Sequence, residues 1–274
     1  MTGKLNVMYF SATDTTKKVV TRIGQKVFDN FDNPGMIRRD IDFSFPEARK
    51  KVVSFAEEDV VIFGVPVYAG RVPNVLLNYL NSITGNGALA VAVVVFGNRA
   101  YDDALIELKD ILEANGFIVI AAGAFVGEHS FSKTLGAGRP DEKDMIIIDD
   151  FADNIYFKLN TRNEFHSVAV KGNRPYMKYY SPKDEKGQPV KDFRLITPNT
   201  NEDCIDCKLC AEICPMGSID YDDVSKIIGI CIKCCACIKK CPAQAKYFDD
   251  PIYLRHKREL EIAFDSRSEP EVFI

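Results

Sequence analysis

The sequence predicts an α/β fold, in which a parallel sheet covered by helices on both faces is followed by a small α+β domain rich in cysteine. Three observations lead to this prediction. Over the first 160 residues, apolar strand-like runs alternate with helical patterns, and the runs end in turns rich in Gly, Ser, Thr or Asn. The run VAVVVF at 91–96 is apolar throughout, as a strand buried on both faces requires. All nine cysteines lie between residues 204 and 241.

Five apolar runs are predicted to form the strands of one parallel sheet. They span residues 5–10, 36–41, 59–65, 88–96 and 117–125. A helix is expected to begin near Thr15, directly after the first run, and Asp141 is a good cap for a later helix. Arg139, in the same segment as Asp141, is a candidate contact for a phosphate or a partner.

The chain is expected to divide into four parts. They are a sheet domain (1–165), a linker or strap (166–198), a cysteine domain (199–250) and a C-terminal extension (251–274). The segment from 171 to 200 has four prolines and no sustained period, so it is either a flexible tether or a strap on the surface. Its tyrosines favour the strap. The extension predicts a short helix followed by a frayed acidic tail.

Length and composition exclude several classes of protein. With 274 residues and 46% hydrophobic content, the chain can bury two cores. The net charge of -4, with acidic and basic residues mixed, indicates neither a nucleic-acid-binding face nor a polybasic membrane patch. No apolar run approaches the ~18 residues of a membrane span, and the N-terminus lacks a signal-peptide pattern. A soluble, cytoplasmic protein is expected.

The cysteine region repeats itself with an offset of 27 residues. Each copy has the pattern CxxCxxCxxxCP, which bacterial ferredoxins use to hold [4Fe-4S] clusters, the fourth cysteine of each run ligating the other cluster. The resemblance to these ferredoxins implies two clusters. The ligands of one would be Cys204, Cys207, Cys210 and Cys241, and those of the other Cys231, Cys234, Cys237 and Cys214.

A zinc module is the alternative, because paired CxxC motifs also form structural zinc sites. Zinc needs four ligands per site, which leaves the third cysteine of each run and its CP ending unexplained. Cys235 lies outside the register of the repeat and is interpreted as a spare thiol. Clustered CxxC spacing indicates metal binding in a reducing compartment rather than a disulfide framework.

The charge of the cysteine domain predicts the kind of partner. Residues 199–250 carry nine acidic and six basic side chains, and each oxidised cluster with its four thiolates adds roughly two negative charges. We therefore expect redox partner proteins with basic docking surfaces, whose association weakens as salt rises.

Three loops follow predicted strands and should meet at one edge of the sheet. SATDTT (11–16) offers hydroxyls and backbone N–H groups at the start of a helix, which suits a phosphate, although an ordinary Ser/Thr-rich cap has the same pattern. PVYAGRVPN (66–74) and GNRAYDD (97–103) each place a tyrosine near a glycine.

These loops, in the form YFSATDTT, GVPVYAGRVPN and FGNRAYDD, together resemble the three flavin-contacting loops of flavodoxins, over residues 4 to about 160. The resemblance implies the strand order 2-1-3-4-5, with the flavin at the switch point between the first and third strands. With the cysteine repeat, the whole chain resembles the flavodoxin and ferredoxin fusion proteins of anaerobic bacteria.

The resemblance implies an FMN site built from these loops. The phosphate would be held by Ser11, Thr13, Thr15 and Thr16 and by the amides of the loop, which include those of Ala12 and Asp14. The second loop would flank the ring with Pro66, Val67, Tyr68, Ala69, Gly70 and Arg71. The third would do so with Gly97, Asn98, Arg99, Tyr101 and Asp102. Tyr68 and Tyr101 are the candidates for stacking on the ring.

Two positions depart from the flavodoxin pattern, since Ala12 and Asp14 stand where glycines are usual. Asp tolerates a positive φ better than most residues, so Asp14 is expected to point outward and FMN binding to be retained. Gly70 is expected to let a peptide turn toward or away from the ring, because a residue without Cβ turns easily. His129 is interpreted as a hydrogen-bonded histidine rather than a contact of the ring or a substrate.

The sequence therefore predicts an electron-transfer protein that passes electrons between FMN, two [4Fe-4S] clusters and external redox partners. The alternative is a ferredoxin-coupled, flavin-dependent reductase of a small molecule or NAD(P)H, although no GxGxxG follows a strand to hold a pyridine nucleotide. A third option is a domain without FMN that docks the clusters to a partner. The sequence leaves the electron donor, the acceptor, the direction of flow and the oligomeric state open.

Overall fold

A six-stranded sheet forms the body of the protein, for which the computed structural model describes residues 3–31, 35–191 and 193–274. The strands in chain order are β1 (Lys4–Tyr9), β2 (Ile37–Asp42), β3 (Val60–Pro66), β4 (Leu89–Phe96), β5 (Ile118–Val126), β6 (Asn199–Thr200), β7 (Lys246–Tyr247) and β8 (Glu271–Phe273). The first five are parallel in the order 2-1-3-4-5. Each lies within one residue of its predicted position. β6 and β7 form a separate antiparallel pair.

The sixth strand of the sheet corrects the predicted count of five. β8 pairs antiparallel with β5, and Val272 lies opposite Gly123. The C-terminal extension is thus a helix, α7 (Pro251–Ala263), followed by an edge strand rather than by a frayed tail. An uncovered β5 would present a row of unpaired backbone groups at the sheet edge, and β8 covers part of that row.

Helices cover both faces of the sheet. Those that do so are α1 (Thr15–Phe31), α2 (Leu77–Leu80), α3 (Ala104–Ala114) and α4 (Glu142–Thr161), and they are followed in the chain by α5 (Leu209–Glu212), α6 (Ala236–Lys239) and α7. α1 and α4 pack side by side over one apolar core, and α2 and α3 pack over the other. None of the described helices has the length and apolar composition needed to cross a membrane.

The segment before α4 confirms one sequence-based expectation and corrects another. The Asp141 carboxylate accepts hydrogen bonds from the N–H groups of Lys143 and Asp144, both at 3.1 Å, and caps α4. The Arg139 guanidinium is buried, bonds to the Asp144 carboxylate and donates to the carbonyl of Ser268 at 3.1 Å. Arg139 is therefore a structural residue and does not meet a phosphate or an external partner.

The cysteine-rich region packs directly on the sheet domain. Cys234 and Ala236 are buried in the same hydrophobic cluster as Phe10, at the end of β1. The Arg49 guanidinium donates to the carbonyl of Pro215 at 2.6 Å, which adds a polar contact between the two regions. One continuous core thus fixes the cysteine region relative to the sheet.

The segment between α4 and β6 lies along the surface of the sheet domain. The Tyr180 N–H donates to the carbonyl of Ala69 at 2.9 Å, and the Tyr179 hydroxyl donates to the carbonyl of Val72 at 2.8 Å. The Arg71 guanidinium lies 4.9 Å from the centroid of the Tyr179 ring. These contacts are those of a strap rather than of a free tether, and we call this segment the strap.

Candidate functional site

Two cavities between the cysteine runs bring eight cysteines together in two sets of four. One cavity is lined by Cys214, Cys231, Cys234 and Cys237, and also by Cys235. The other is lined by Cys204, Cys207, Cys210 and Cys241. Each set combines three cysteines of one run with the fourth cysteine of the other run.

The backbone of the two runs repeats together with their sequence. The fourth cysteine of each run accepts a hydrogen bond from the N–H of the residue four positions later. Ser218 donates to Cys214 Sγ and Ala245 donates to Cys241 Sγ, both at 3.3 Å. The short helices α5 and α6 also begin at equivalent positions of the two runs. The two cavities are therefore built by one structural unit used twice.

Cys235 lines a cavity but takes the place that Lys208 has in the first run. Both residues have a left-handed backbone, with φ of 58° and 62°. The Cys235 thiol lies 3.5 Å from the Tyr253 hydroxyl. Burial raises the pKa of Cys235 to about 11 and that of Cys234 to about 12. Such thiols stay protonated at neutral pH unless a bound cation compensates the thiolate charge.

The arrangement of the thiols bears on the kind of metal they fit. Among the described residues, no group of three or more His, Cys, Asp or Glu side chains is placed to hold a metal ion. The cysteines stand around the walls of the two cavities instead. Ligands of one zinc ion converge on a point at about 2.3 Å, whereas those of an iron-sulfur cluster bind separate irons at the corners of a cube. The four thiols of each crossed set fit a cluster in number and type, and Cys235 is a fifth thiol in one of the cavities.

The loop after β1 presents polar groups at the N-terminus of α1. The hydroxyls of Thr13, Thr15 and Thr16 make no hydrogen bond within the described part of the chain. Ser11 is already engaged, since its hydroxyl accepts from the N–H of Lys17 at 3.1 Å. Hydroxyls and backbone N–H groups at the start of a long helix suit an anion such as a phosphate.

Asp14 lies on the outer side of this loop. Its φ is 65°, its side chain is 63% exposed, and its Oδ2 is 2.7 Å from Lys240 Nζ. Lys239 makes a similar contact with Glu128, at 3.1 Å. The outward orientation expected for Asp14 is found, and two lysines of the second cysteine run lie against the sheet domain.

A cleft of about 870 Å³ opens at the carboxyl edge of the sheet, a size within the range of small-molecule sites. Its walls come from the loops after β3, β4 and β5, from the strap, from the loop at 229–233 and from α7. Four cationic side chains line it, and no carboxylate of the described residues does. The cations are Arg99, Lys191, Arg194 and Lys233.

Part of the predicted ring-flanking set lines this cleft. The lining residues from that set are Val67, Tyr68, Ala69, Gly70, Gly97 and Arg99. Pro66 ends β3 behind them, and Arg71 is turned toward the strap and the Glu107 carboxylate, 2.6 Å away. The loop at 11–16 is not part of the cleft wall. The phosphate and ring candidates therefore lie at neighbouring positions along the sheet edge.

Asn98 holds the C-terminal segment instead of lining the cleft. Its amide nitrogen donates to the carbonyls of Phe264 and Ser266 at 2.8 and 2.9 Å. Its amide oxygen accepts from the N–H of Ser268 at 3.1 Å. Because Asn98 is buried and these bonds engage both ends of its amide, the structure does not offer its side chain to a ligand in the cleft.

Tyr101 and Asp102 are also directed to other contacts. The Tyr101 hydroxyl bonds to Glu271 of β8, and its ring packs on Phe96 at 5.7 Å. Asp102 pairs with Arg99 at 2.6 Å. Since neither Tyr101 nor Asp102 lines the cleft, the structure does not bring the second stacking candidate to it.

The loop around Gly70 is held more firmly than the sequence suggests. Gly70 has φ of 78°, and a Cβ there would meet Asp102 Oδ2 at 2.2 Å. The Gly70 carbonyl accepts from the N–H of Asp103 at 3.1 Å, and that of Ala69 accepts from Tyr180 at 2.9 Å. Turning either peptide would break one of these hydrogen bonds.

Tyr68 connects the cleft with one cysteine cavity. Its side chain lines the cleft and packs against the hydrophobic cluster that contains Cys234. Burial, followed by the proximity of Cys234, Cys235 and Cys231, raises the pKa of Tyr68 well above its usual value. The hydroxyl is therefore protonated and lies near three cysteines of the second run.

An aromatic wall of the cleft is the feature that sequence reasoning missed. The residues that form it are Phe131, Tyr180, Phe193 and His256. The His256 ring stacks on Tyr180 at 5.7 Å and meets the Phe193 ring edge-on at 5.6 Å. Three separate segments supply these rings, and the cluster of tyrosines in the strap is the one sequence signal that pointed toward them.

Two histidines also line the cleft. His129 Nδ1 accepts from the N–H of Phe131 at 3.1 Å, and burial lowers the pKa of His129 to about 4. His256 is 4% exposed, and its Nδ1 lies 3.8 Å from the carboxylate of Glu259, beyond hydrogen-bond distance. Burial lowers the pKa of His256 as well. Both imidazoles are neutral at pH 7.

The strand order and the two helical layers define a doubly wound protein of the flavodoxin-like order. No family model and no curated protein matches the chain. Among solved structures, an oxidised flavodoxin 2 from Bacillus cereus is 18% identical with a TM-score of 0.41, over 58% of this chain and 99% of that one. A Fusobacterium nucleatum flavodoxin bound to flavin mononucleotide is 15% identical with a TM-score of 0.38, over 57% and 98%.

An NADH:FMN oxidoreductase in its apo form is also similar to this chain. It is 16% identical with a TM-score of 0.43, over 61% of this chain and 95% of that one. These identities and scores are low. The fold is therefore assigned from the strand order and register of the structure itself.

Proposed function

We propose that the chain is an electron-transfer protein that holds FMN at the carboxyl edge of its sheet and two [4Fe-4S] clusters in its cysteine cavities. The observation that carries the proposal is the composition of the cavities, each of which joins three cysteines of one run to the fourth cysteine of the other. This crossing is the ligand pattern of two-cluster ferredoxins. When bound, the clusters would supply one-electron chemistry, and FMN would supply one- or two-electron chemistry.

The cysteine region contributes buried thiols and hydrogen bonds to sulfur. The ligands would lose their protons on binding, because the positive irons compensate the thiolate charge that burial disfavours. The N–H groups of Ser218 and Ala245 point at Cys214 and Cys241, where they would stabilise the negative sulfur. All nine cysteines are free thiols, which suits a reducing cytoplasm.

The sheet domain would bind the flavin with the loops that follow β1, β3 and β4. The free hydroxyls of Thr13, Thr15 and Thr16, with the N–H groups at the start of α1, would hold the phosphate. Tyr68 would flank the ring from the loop after β3, and its contact with the cluster around Cys234 would bring the two redox sites together. Gly97 lets His129 pack against the loop after β4, since a Cβ at Gly97 would meet His129 Cα at 2.8 Å.

The charges of the two cysteine runs support a docking face on the first run. Lys239 and Lys240 of the second run are paired with carboxylates of the sheet domain. The first run carries the exposed carboxylate of Asp222, the exposed Asp206, which pairs with Lys208 at 2.8 Å, and the exposed Cys207. A redox partner with a basic surface would therefore approach the cavity of the first run.

Cofactor analysis tests the proposal directly. Protein purified without oxygen should be brown and should carry about eight irons and eight labile sulfides per chain, as two four-iron clusters require. It should also carry one FMN. Zinc alone would overturn the cluster assignment, and full iron without flavin would reduce the protein to a cluster carrier. Mixing with NADH, NADPH or a reduced ferredoxin would then identify the electron donor.

A flavin-dependent reductase of a small molecule is the second candidate function. The cleft favours it, because a flavin ring beside Tyr68 and Gly97 would leave Lys191, Arg194 and Lys233 on the cleft wall, where no described carboxylate stands. Turnover distinguishes the two functions. A carrier would be oxidised only by a partner protein, whereas a reductase would be oxidised repeatedly by its small-molecule substrate.

A further inference from the structure

We propose that one end of the cleft is a separate binding site for a small planar organic anion, such as an aromatic carboxylate. This end, which we call the strap end, is lined by Lys191, Phe193, Arg194, Lys233 and His256. Tyr180 stacks on His256 and also lies 4.7 Å from the Arg99 guanidinium, so it stands between this end and the loop after β4. The inference rests on the proposed function in one respect only, which is that the flavin ring takes the other end, beside Tyr68 and Gly97.

The charge of the strap end favours an anion. Arg99 is neutralised by Asp102, but Lys191, Arg194 and Lys233 form no ion pair with any described residue. No described carboxylate lines the cleft, although the chain as a whole has a net charge of -4. A cleft lined by unpaired cations in an acidic protein concentrates anionic ligands.

Lys233 strengthens the preference for an anion, because its side chain is buried. It is 6% exposed, and its ammonium donates to the carbonyl of Arg194 at 3.0 Å. An ammonium has three donors, so hydrogen bonds remain to be made. A cluster beside Cys231 would offset part of this charge, but Lys191 and Arg194 are exposed on the strap and would keep theirs.

The shape and polarity of the strap end select a flat ligand. The His256 ring contacts those of Tyr180 and Phe193, and the Lys233 ammonium lies 5.2 Å from the centroid of the Phe193 ring. His256 Nδ1 makes no hydrogen bond with a described residue, and the Glu259 carboxylate lies 3.8 Å from it. A planar ring with a carboxylate would supply both stacking and polar contacts.

The phosphate of FMN does not account for these cations. In the proposed binding mode the phosphate occupies the loop at 11–16, which is outside the cleft wall. The oxidised flavin ring carries no charge that would balance Lys191, Arg194 and Lys233. The strap end therefore has cations left for a second molecule.

Calorimetric titration of the purified full-length protein with benzoate tests the inference. Benzoate should bind, and benzyl alcohol, cyclohexanecarboxylate and inorganic phosphate should each bind at least about tenfold more weakly, because each lacks the charge or the flat ring. Equal binding of benzyl alcohol would overturn the anion preference. Absence of benzoate binding would overturn the site.

Two variants locate the binding. Lys191→Gln combined with Arg194→Gln should weaken benzoate binding at least about tenfold by removing two exposed cations without disturbing the core. Lys178→Gln, on the same strap but outside the cleft wall, should leave the affinity unchanged. His256→Phe keeps an aromatic ring, removes both imidazole nitrogens and should also weaken binding. Equal affinities in all of these variants would place the benzoate elsewhere.

Flavin content separates the failure of this inference from that of the proposed function. If benzoate releases FMN in a one-to-one exchange, the strap end belongs to the flavin, and the inference is wrong while the flavin assignment stands. If the protein contains no FMN, the proposed function fails, whereas the titrations of wild type and variants still decide the anion site.

Discussion

The ammonium of Lys240 lies 2.7 Å from the carboxylate of Asp14. Asp14 belongs to the loop after the first strand, and Lys240 directly precedes the last cysteine of the second run. The ion pair thus joins the candidate phosphate loop to the cysteine region. Because the Asp14 carboxylate is beside the groups that would hold a phosphate, its counter-ion affects anion binding there.

Replacing Lys240 by Gln should weaken FMN binding by roughly three- to tenfold, because Asp14 then repels the phosphate without a nearby cation. The melting temperature should change little, since an exposed ion pair contributes at most about 1 kcal/mol. Adding Asp14→Asn should restore the affinity. FMN titration of the apo-protein, followed by flavin fluorescence, measures the effect. Lys226→Gln, which breaks an exposed pair with Asp223 in the first run, should bind FMN as wild type does.

Replacing Thr16 by Val should weaken FMN binding by roughly tenfold or more, since a hydrogen bond to a charged group contributes about 1.5–3 kcal/mol. Thr16 is 3% exposed, and its hydroxyl has no partner among the described residues, so folding should be little affected. Thr21→Val is the control, because that hydroxyl bonds to the Lys17 carbonyl on the exposed side of the same helix. Unchanged flavin retention in Thr16→Val would count against this phosphate loop.

Iron analysis of cysteine variants tests the crossed ligand sets. Cys214→Ala should lower the iron content from about eight to about four per chain. Adding Cys237→Ala should remove no more iron, because the two cysteines line one cavity. Adding Cys210→Ala instead should remove nearly all of it. The opposite pattern in the two double variants would mean that the runs are not crossed. Cys235→Ser should keep about eight irons.

Asn98→Ala should destabilise the protein by about 2–4 kcal/mol, because three partly buried hydrogen bonds are lost and alanine disfavours the left-handed backbone. The φ of Asn98 is 63°. Asn86→Ala, with φ of 49° and two side-chain bonds at an exposed site, should cost less. Urea unfolding measures both. Folded Asn98→Ala should retain FMN, and loss of flavin without loss of stability would return Asn98 to the flavin site.

Protonation of His129 should lower the free energy of unfolding as the pH falls from 6.5 to 4. Its pKa is lowered from 6.5 to about 4 in the folded protein, so the neutral form is favoured by folding. The stabilisation is complete above pH 6.5 and is lost as the pH falls toward 4. The His129→Gln variant lacks this contribution. The amount by which the unfolding free energy of wild type exceeds that of the variant should therefore shrink by on the order of 3 kcal/mol as the pH falls from 6.5 to 4.

Urea unfolding at a series of pH values checks this expectation. His166→Gln, at an exposed position, should follow the wild-type curve in parallel. A stability difference between wild type and His129→Gln that does not vary with pH would show that His129 is not the group that titrates in this window.

Local pattern was enough to place the five parallel strands within one residue. Runs such as 91–96 are apolar at every position, and a strand buried on both faces is the structure that such a run favours. The cap at Asp141 and the outward orientation of Asp14 were likewise predictable, because a cap and a positive φ depend on neighbouring residues. The cysteine repeat is a sequence fact, and the ligand sets derived from it remain a prediction.

Tertiary structure alone decided which side chains face the cleft. Asn98 and Tyr101 stand in the predicted flavin loop, yet the first bonds to Ser268 and the second to Glu271, 170 residues further along in each case. His256 and Phe193 form a wall of the cleft although no periodic pattern marks them. Contacts over such separations depend on how the C-terminal segment and the strap fold back over the sheet, and a local sequence pattern carries no record of that path.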